Sequence, residues 1–142
     1  MHELHTHHVG VTVRDLDRAV DFYRDVLGLS VIAEFEVGGE AFETGVDIEG
    51  ASARFAHLDG GSARIELVEY EPPADGLPTS QLNDAGATHL GLEVDDLDSF
   101  YTELPSSVDT LSPPQTTETG TRILFLRDPE GNLVEILELG AE

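Results

Sequence analysis

One short pattern occurs twice in this chain, and this duplication constrains the fold more than any other feature. "HVGVTVRDLD" begins at His8 and "HLGLEVDDLD" begins at His89. Each copy places a histidine before alternating apolar residues and ends in Asp-Leu-Asp. Solenoids repeat a unit of about 20–50 residues three or more times, whereas this pattern occurs once in each half of the chain. The sequence therefore predicts two related halves built on one plan.

The first half predicts the element order β-α-β-β-β. In "HVGVTV" the valines alternate with other residues, which is the period of a strand. Asp15 is a typical N-cap for a helix that extends to Leu27 and ends at Gly28, because the apolar residues between them form one stripe. Three further strands are predicted at residues 30–37, 53–58 and 64–70.

The second half repeats this plan in fewer residues. A strand in "HLGLEV" precedes a helix in "DDLDSFYTEL", which Pro105 ends. A weaker strand is expected near Thr110, and clear strands are expected at residues 121–127 and in "NLVEILEL". The predicted class is α+β, with one βαβββ module at residues 1–71, a linker at 72–87 and a second βαβββ module at 88–142.

Composition excludes several classes of protein. The chain has no cysteine, so it has neither disulfides nor thiolate ligands. Its net charge is −22, and every basic residue is arginine, which argues against a nucleic-acid partner. No stretch resembles a signal peptide or a membrane span, so we expect a cytoplasmic protein without a membrane partner. Such an acidic composition resembles that of proteins from salt-rich cytoplasm and predicts a halophilic source.

Two histidines and two glutamates occupy equivalent places in the two halves. His8 and His89 lead the opening strands, each with a glycine two residues later on the same face. Glu66 and Glu135 lie in the closing strands between apolar neighbours. A carboxylate buried there without a partner would cost several kcal/mol, so it must face solvent, an arginine or a cation. The duplication favours a cation, because nitrogen and oxygen ligands without sulfur suit a divalent ion.

Other histidines complicate this interpretation. A single strand histidine or glutamate is usually a surface residue, and only the repetition argues for a site. His2, His5 and His7 crowd the N-terminal segment, where they form a possible chelating cluster. Strand alternation predicts that His7 points into the valine face. His57 has no counterpart in the second half, so the predicted site does not include it.

These motifs resemble the vicinal oxygen chelate superfamily, which includes glyoxalase I, methylmalonyl-CoA epimerase, extradiol dioxygenases and resistance proteins for fosfomycin and bleomycin. "HVGVTVRDLDRAVDFYRDVLGL" is similar to the opening strand and helix of that family, and "FLRDPEGNLVEILE" to its closing hairpin. The resemblance implies paired βαβββ modules whose mixed sheets curl around one metal site, within a chain or across a dimer. It also implies a divalent ion (Ni, Co, Mn, Zn or Fe) with four ligands, His8, Glu66, His89 and Glu135.

Within this superfamily the residues are most similar to glyoxalase I, which has glutamate at both carboxylate positions. The resemblance implies an isomerase or lyase that moves a proton on a small carbonyl substrate through an enolate or enediolate, with Glu66 and Glu135 as catalytic residues. Thr12 and Tyr70 stand where that enzyme contacts glutathione, and neither replaces an arginine or asparagine. An epimerase, an extradiol dioxygenase and a non-catalytic binding protein remain alternatives. A homodimer is expected by analogy.

Overall fold

The structure, a computed structural model, describes residues 2–76 and 81–140. The chain divides after Gly76 into two compact units. Part of the predicted linker, residues 77–80, lies outside the described residues. No helix in the described part of the chain is long and apolar enough to cross a membrane.

The first unit is a four-stranded mixed sheet with helices. Its strands lie in the order β1-β4-β3-β2, with β1 parallel to β4 and the other neighbours antiparallel. The elements along the chain are β1 (His8–Thr12), α1 (Leu16–Asp21), a π-helical turn (Phe22–Val26), β2 (Val31–Gly38), α2 (Glu40–Val46), β3 (Ser52–Asp59) and β4 (Arg64–Glu71).

The second unit has the same topology with shorter elements. Its sheet order is β5-β8-β7-β6, again with one parallel pair, β5 with β8. The elements are β5 (Leu90–Glu93), α3 (Leu97–Glu103), β6 (Gln115–Thr116), β7 (Arg122–Arg127) and β8 (Leu133–Glu138). The α+β class and the two βαβββ modules predicted from the duplication are thereby confirmed.

Each opening helix is capped by two carboxylates. Asp15 accepts a hydrogen bond from the Arg18 amide, as the sequence predicts, and Asp96 accepts the equivalent bond from Ser99. That bond holds the pKa of Asp96 below its ordinary value. A second carboxylate comes from the closing strand, where Glu69 accepts from the Leu16 amide at 2.8 Å and Glu138 from the Leu97 amide at 2.9 Å. Glu69 and Glu138 therefore have a structural role as helix caps.

Three details of the elements differ from the sequence prediction. The first helix changes to π-helical geometry, in which the Leu27 amide donates to the carbonyl of Phe22. Helix α2 was not predicted, because a seven-residue segment that contains Gly45 carries little helical signal. Phe42 stabilises this helix by packing on the sheet. The strand expected near Thr110 is only an isolated bridge to Leu126.

The second strand of the second unit is instead the two-residue β6. Pro113 and Pro114 lie between Thr110 and this strand. Proline has no N–H to donate to a ladder, so one continuous strand cannot form across them.

Helix and sheet bury one apolar layer in each unit. In the first unit the largest fully buried side chains are Tyr23, Leu16, Leu58 and Leu67, and in the second they are Leu97, Leu124, Leu126 and Val134. Because strand residues alternate in direction, the neighbours of these side chains, including Glu66 and Glu135, point to the opposite face of each sheet.

A buried aspartate organises the turn between β7 and β8. Asp128 is 4% exposed. Its Oδ1 accepts hydrogen bonds from the amides of Glu130 at 2.8 Å and Asn132 at 2.9 Å, and its Oδ2 accepts from the Asn132 side chain at 3.0 Å. This turn sets the register of the hairpin that carries Glu135.

We expect Asp128→Ala to lower the free energy of unfolding by about 2–3 kcal/mol, because two amides lose a charged acceptor. The measurement is urea unfolding followed by circular dichroism. Asp128→Asn is the control: its amide oxygen still accepts at Oδ1, so its loss should be smaller. Equal midpoints for wild type and Asp128→Ala would show that the turn does not depend on this carboxylate.

Candidate active site

In the first unit, the parallel pairing of β1 with β4 brings a histidine to a glutamate. Gly10 lies directly opposite Glu66 in the ladder. A Cβ built on Gly10 would stand 3.8 Å from Oε1 of Glu66, an ordinary van der Waals contact, so the carboxylate lies directly beside β1. Nε2 of His8 is 3.6 Å from Oε2 of Glu66, and the glutamate side chain is 16% exposed.

The second unit repeats this geometry. Gly91 lies opposite Glu135, and a Cβ on Gly91 would stand 3.7 Å from Oε1 of Glu135. Nε2 of His89 is 3.4 Å from that same oxygen. Each unit thus brings together the histidine and the glutamate that the sequence paired.

Both His–Glu separations are too long for direct hydrogen bonds: the 3.4 Å of His89–Glu135 matches two ligands of one ion, and the 3.6 Å of His8–Glu66 is slightly longer. A hydrogen bond between nitrogen and oxygen spans about 2.7–3.2 Å. Two ligand atoms that each bind one ion at about 2.0–2.2 Å lie roughly 3–3.5 Å apart. Within residues 2–76 and 81–140, no group of three or more histidine, aspartate and glutamate side chains has the arrangement of a metal centre. Each unit therefore offers a pair of suitable ligands, and the predicted four-ligand centre stays a prediction.

His57 also belongs to the candidate site of the first unit, although the residues predicted from the sequence did not include it. It lies opposite Glu66 in the antiparallel β3–β4 ladder and is 6% exposed. Its Nε2 is 2.7 Å from Oε2 of Glu66, a short hydrogen bond. The signal was in the sequence: counting outward from the "DGGS" turn pairs position 57 with position 66.

The prediction for His7 is wrong. Its ring does not point into the valine face but meets the His8 ring edge-on, with the two Nδ1 atoms 2.8 Å apart. Its centroid is 6.1 Å from that of His57. Strand β1 begins at His8, so the alternation of strand side chains does not extend to His7. The N-terminal residues His2 and His5 are exposed.

The two units differ at the position opposite the glutamate. Where the first unit has His57, the second has Phe125, which pairs with Glu135 in the β7–β8 ladder. The Phe125 ring meets the His89 ring edge-on at 5.2 Å. Glu66 therefore has an imidazole N–H donor at this cross-strand position, and Glu135 has an apolar ring there.

An aromatic surface adjoins the polar cluster of the first unit. Phe55 lies two residues before His57 on β3, and Tyr70 lies four residues after Glu66 on β4. Even steps along a strand keep side chains on one face, so all four share it. Phe35 stacks on Phe55 at 5.1 Å, and Phe42 of α2 stacks on Tyr70 at 6.1 Å. Phe55 is buried in an apolar cluster with Phe42 and Tyr70, whereas Phe35 is 40% exposed, so an apolar group bound on this face would lie against the Phe35 ring.

Paired βαβββ modules and matched His–Glu pairs are the features by which this chain can be compared with known protein families. Residues 5–136 match the family described as the Glyoxalase/Bleomycin resistance protein/Dioxygenase superfamily. The chain belongs to this superfamily, as its motifs indicated.

Three individual proteins are similar to this chain over most of its length. The 2-epi-5-epi-valiolone epimerase of an Actinomyces species is 32% identical in an alignment 145 positions long, which covers 95% of this chain and 79% of that protein. A glyoxalase family protein from Bacillus cereus superimposes with a TM-score of 0.85 at 23% identity, over 97% of this chain and 95% of the other. A lactoylglutathione lyase from Agrobacterium tumefaciens gives 0.62 at 23% identity, over 93% and 91%. At these identities the solved structures establish a shared fold.

Proposed function

We propose that this protein is a metal-dependent isomerase that moves a proton at a carbon next to a carbonyl group. The observation that carries the proposal is the repeated His–Glu pair, with His8 3.6 Å from Glu66 and His89 3.4 Å from Glu135. Both pairs lie beside a glycine on the sheet face opposite the layer packed against the opening helix, and the His8 and His89 side chains are 39% and 37% exposed.

The imidazole nitrogens and carboxylate oxygens of these residues suit a divalent ion by their chemistry. His8, Glu66, His89 and Glu135 would hold it, either within one chain or across two copies. For His8 to bind through Nε2, its proton must be on Nδ1, and Nδ1 of His7 at 2.8 Å can accept that proton in a hydrogen bond. The ion, when bound, would polarise the substrate carbonyl and acidify the neighbouring C–H.

A carboxylate of the site would then remove the proton from the carbon next to the carbonyl group. Glu66 or Glu135 takes the proton from the carbon next to the carbonyl, which leaves the substrate as an enolate or enediolate. When the other carboxylate or solvent delivers a proton to the opposite face of the same carbon, the product is an epimer. When a proton is delivered instead to the former carbonyl carbon, and the hydroxyl proton of the first carbon passes to the former carbonyl oxygen, the product is that of a glyoxalase. The same groups serve both outcomes.

Of these outcomes, we favour epimerisation of a small hydroxylated ketone. The relative at 32% identity is named for such a reaction. The positions that would contact glutathione hold Thr12 and Tyr70, and Tyr70 is engaged with Phe42. Glyoxalase-type isomerisation is the second candidate, because glutamate occupies both carboxylate positions.

The test is solvent exchange in D₂O followed by proton NMR. Protein loaded with Ni²⁺, Co²⁺, Mn²⁺, Zn²⁺ or Fe²⁺ is given 2-epi-5-epi-valiolone or the hemithioacetal of methylglyoxal and glutathione. We expect deuterium to enter next to the ketone of the first substrate. Exchange with the hemithioacetal alone would favour the glyoxalase reaction. Oxygen uptake with catechol and no exchange would favour a dioxygenase, and wild type that binds no ion would favour a binding protein.

We also propose a homodimer. Each sheet has two edge strands, β1 and β2 in one unit and β5 and β6 in the other, and paired edges avoid unsatisfied backbone groups. Light scattering at micromolar concentration in high salt should give twice the 15.3 kDa of one chain. A mass of one chain would contradict the dimer.

A further inference from the structure

We propose that His57, held by Arg64, is a positioning residue that fixes Glu66 for metal binding. This inference rests on the proposed function, because it assigns a role toward the same ion. It names a residue that has no counterpart in the second unit and that the His–Glu repeat does not include. The contacts that carry it form a chain of three side chains, Arg64, His57 and Glu66.

Arg64 determines which nitrogen of His57 carries the proton. Nη1 of Arg64 is 3.3 Å from Nδ1 of His57. A guanidinium has only donors, so Nδ1 must be the acceptor of this bond. The proton of the neutral ring is then on Nε2, which is 2.7 Å from Oε2 of Glu66. His57 therefore donates to the carboxylate and holds it in the form that binds a cation.

The imidazole is also held in place sterically. His57 is 6% exposed and sits in the middle of β3, between β2 and β4. The Phe35 ring meets it edge-on at 5.1 Å. A donor fixed by burial and ring contact can orient a carboxylate without losing much rotational freedom when an ion binds.

The hydrogen bond fixes the orientation of the Glu66 carboxylate. Oε2 accepts from His57 and is also the oxygen 3.6 Å from Nε2 of His8, while Oε1 is the oxygen nearest the position of a Cβ on Gly10. In the second unit the corresponding neighbour of Glu135 is Phe125, which donates no hydrogen bond. The two carboxylates are therefore unequal: cross-strand donation orients Glu66, whereas Phe125 leaves Glu135 without it.

The experiment is titration of metal-free protein with Co²⁺ by calorimetry, together with the visible absorption of the bound Co²⁺. The variants are His57→Phe, which copies the ring of the second unit, and His57→Gln, whose amide keeps an N–H near the position of Nε2. Phe125→Leu is the matched control, because it changes the equivalent position in the second unit without removing a donor. Arg64→Met removes the guanidinium that fixes the tautomer, together with its positive charge.

We expect His57→Phe to weaken Co²⁺ binding at least tenfold and to alter the absorption of the bound ion, because loss of a ligand's hydrogen-bond partner costs about 10–100-fold. His57→Gln should bind within about threefold of wild type, and Phe125→Leu should match wild type. Arg64→Met should lie between His57→Gln and His57→Phe. In a Glu66→Ala background, His57→Phe should have no further effect, since residues that act through one contact are not additive.

Two results would overturn the inference while leaving the proposed function intact. One is wild-type Co²⁺ affinity in His57→Phe. The other is a loss of Co²⁺ affinity from His57→Phe that is as large in the Glu66→Ala background as in wild type. Failure of His57→Gln to recover affinity, with a normal melting temperature, would also count against it. Absence of Co²⁺ binding by wild type would overturn the proposed function and this inference together. Melting curves of every variant distinguish lost binding from lost folding.

Discussion

Glu135→Gln is expected to slow deuterium exchange next to the substrate carbonyl by at least about 100-fold, which is the contribution typical of a positioned general base. The amide is nearly the same size as the carboxylate but cannot take up the proton. It is also a weaker ligand than the carboxylate, so binding of a divalent ion should fall about tenfold. Initial rates by NMR and metal titration by calorimetry give the two values.

The matched control is Glu138→Gln, on the same strand three residues later. Glu138 accepts from the Leu97 amide and caps α3, and a glutamine oxygen can accept the same bond. Exchange and metal affinity should therefore remain at wild-type values. Equal losses in the two variants would mean that the effect arises from the stability of the strand, which would contradict a catalytic role for Glu135.

Glu66 provides the companion measurement. Glu66→Ala should weaken metal binding at least tenfold if all four predicted ligands bind, whereas a three-ligand dioxygenase-type site would keep its affinity. The alanine also leaves the buried His57 without its acceptor, which costs stability. Glu66→Gln preserves that hydrogen bond, so a loss of affinity in both variants is a loss of ligation. Retained affinity in both would contradict the role of Glu66 as a ligand.

The second large expected effect is a rise in thermal stability with salt concentration. We expect the melting temperature to rise by 10 °C or more, as an order-of-magnitude estimate, between dilute buffer and about 1 M KCl. A net charge of −22 on 142 residues repels itself in the compact state. The Debye length falls to about 3 Å at 1 M salt, so most of that repulsion between surface carboxylates is screened.

Sucrose separates screening from general stabilisation by excluded solutes. A sucrose solution of the same osmolality has no ions, so it should give a much smaller rise than KCl. Scanning calorimetry or circular dichroism at a series of salt concentrations measures the midpoint. A midpoint that does not change with KCl would contradict the electrostatic explanation, and with it the expectation of a halophilic source.

The sequence by itself determined the modular plan and the paired residues. Period-2 alternation with Asp15 and Gly28 as helix signals depends only on local backbone and capping preferences, so it can be read from the residues in order. The same is true of the pairs His8 with Glu66 and His89 with Glu135. Equivalent positions in two copies of one topology must lie equivalently in their sheets, so the repeat was enough to find them.

Only the tertiary structure decided the features that depend on neighbours distant in sequence. Helix α2 forms because Phe42 packs on Phe55 and Tyr70, a contact that no local propensity reveals. The N-terminal limit of β1 determined the direction of His7. His57 joined the site through cross-strand register, since it faces Glu66 and accepts from Arg64 only when β3 and β4 are paired. Repetition identifies what the halves share, whereas the packed sheet determines how they differ.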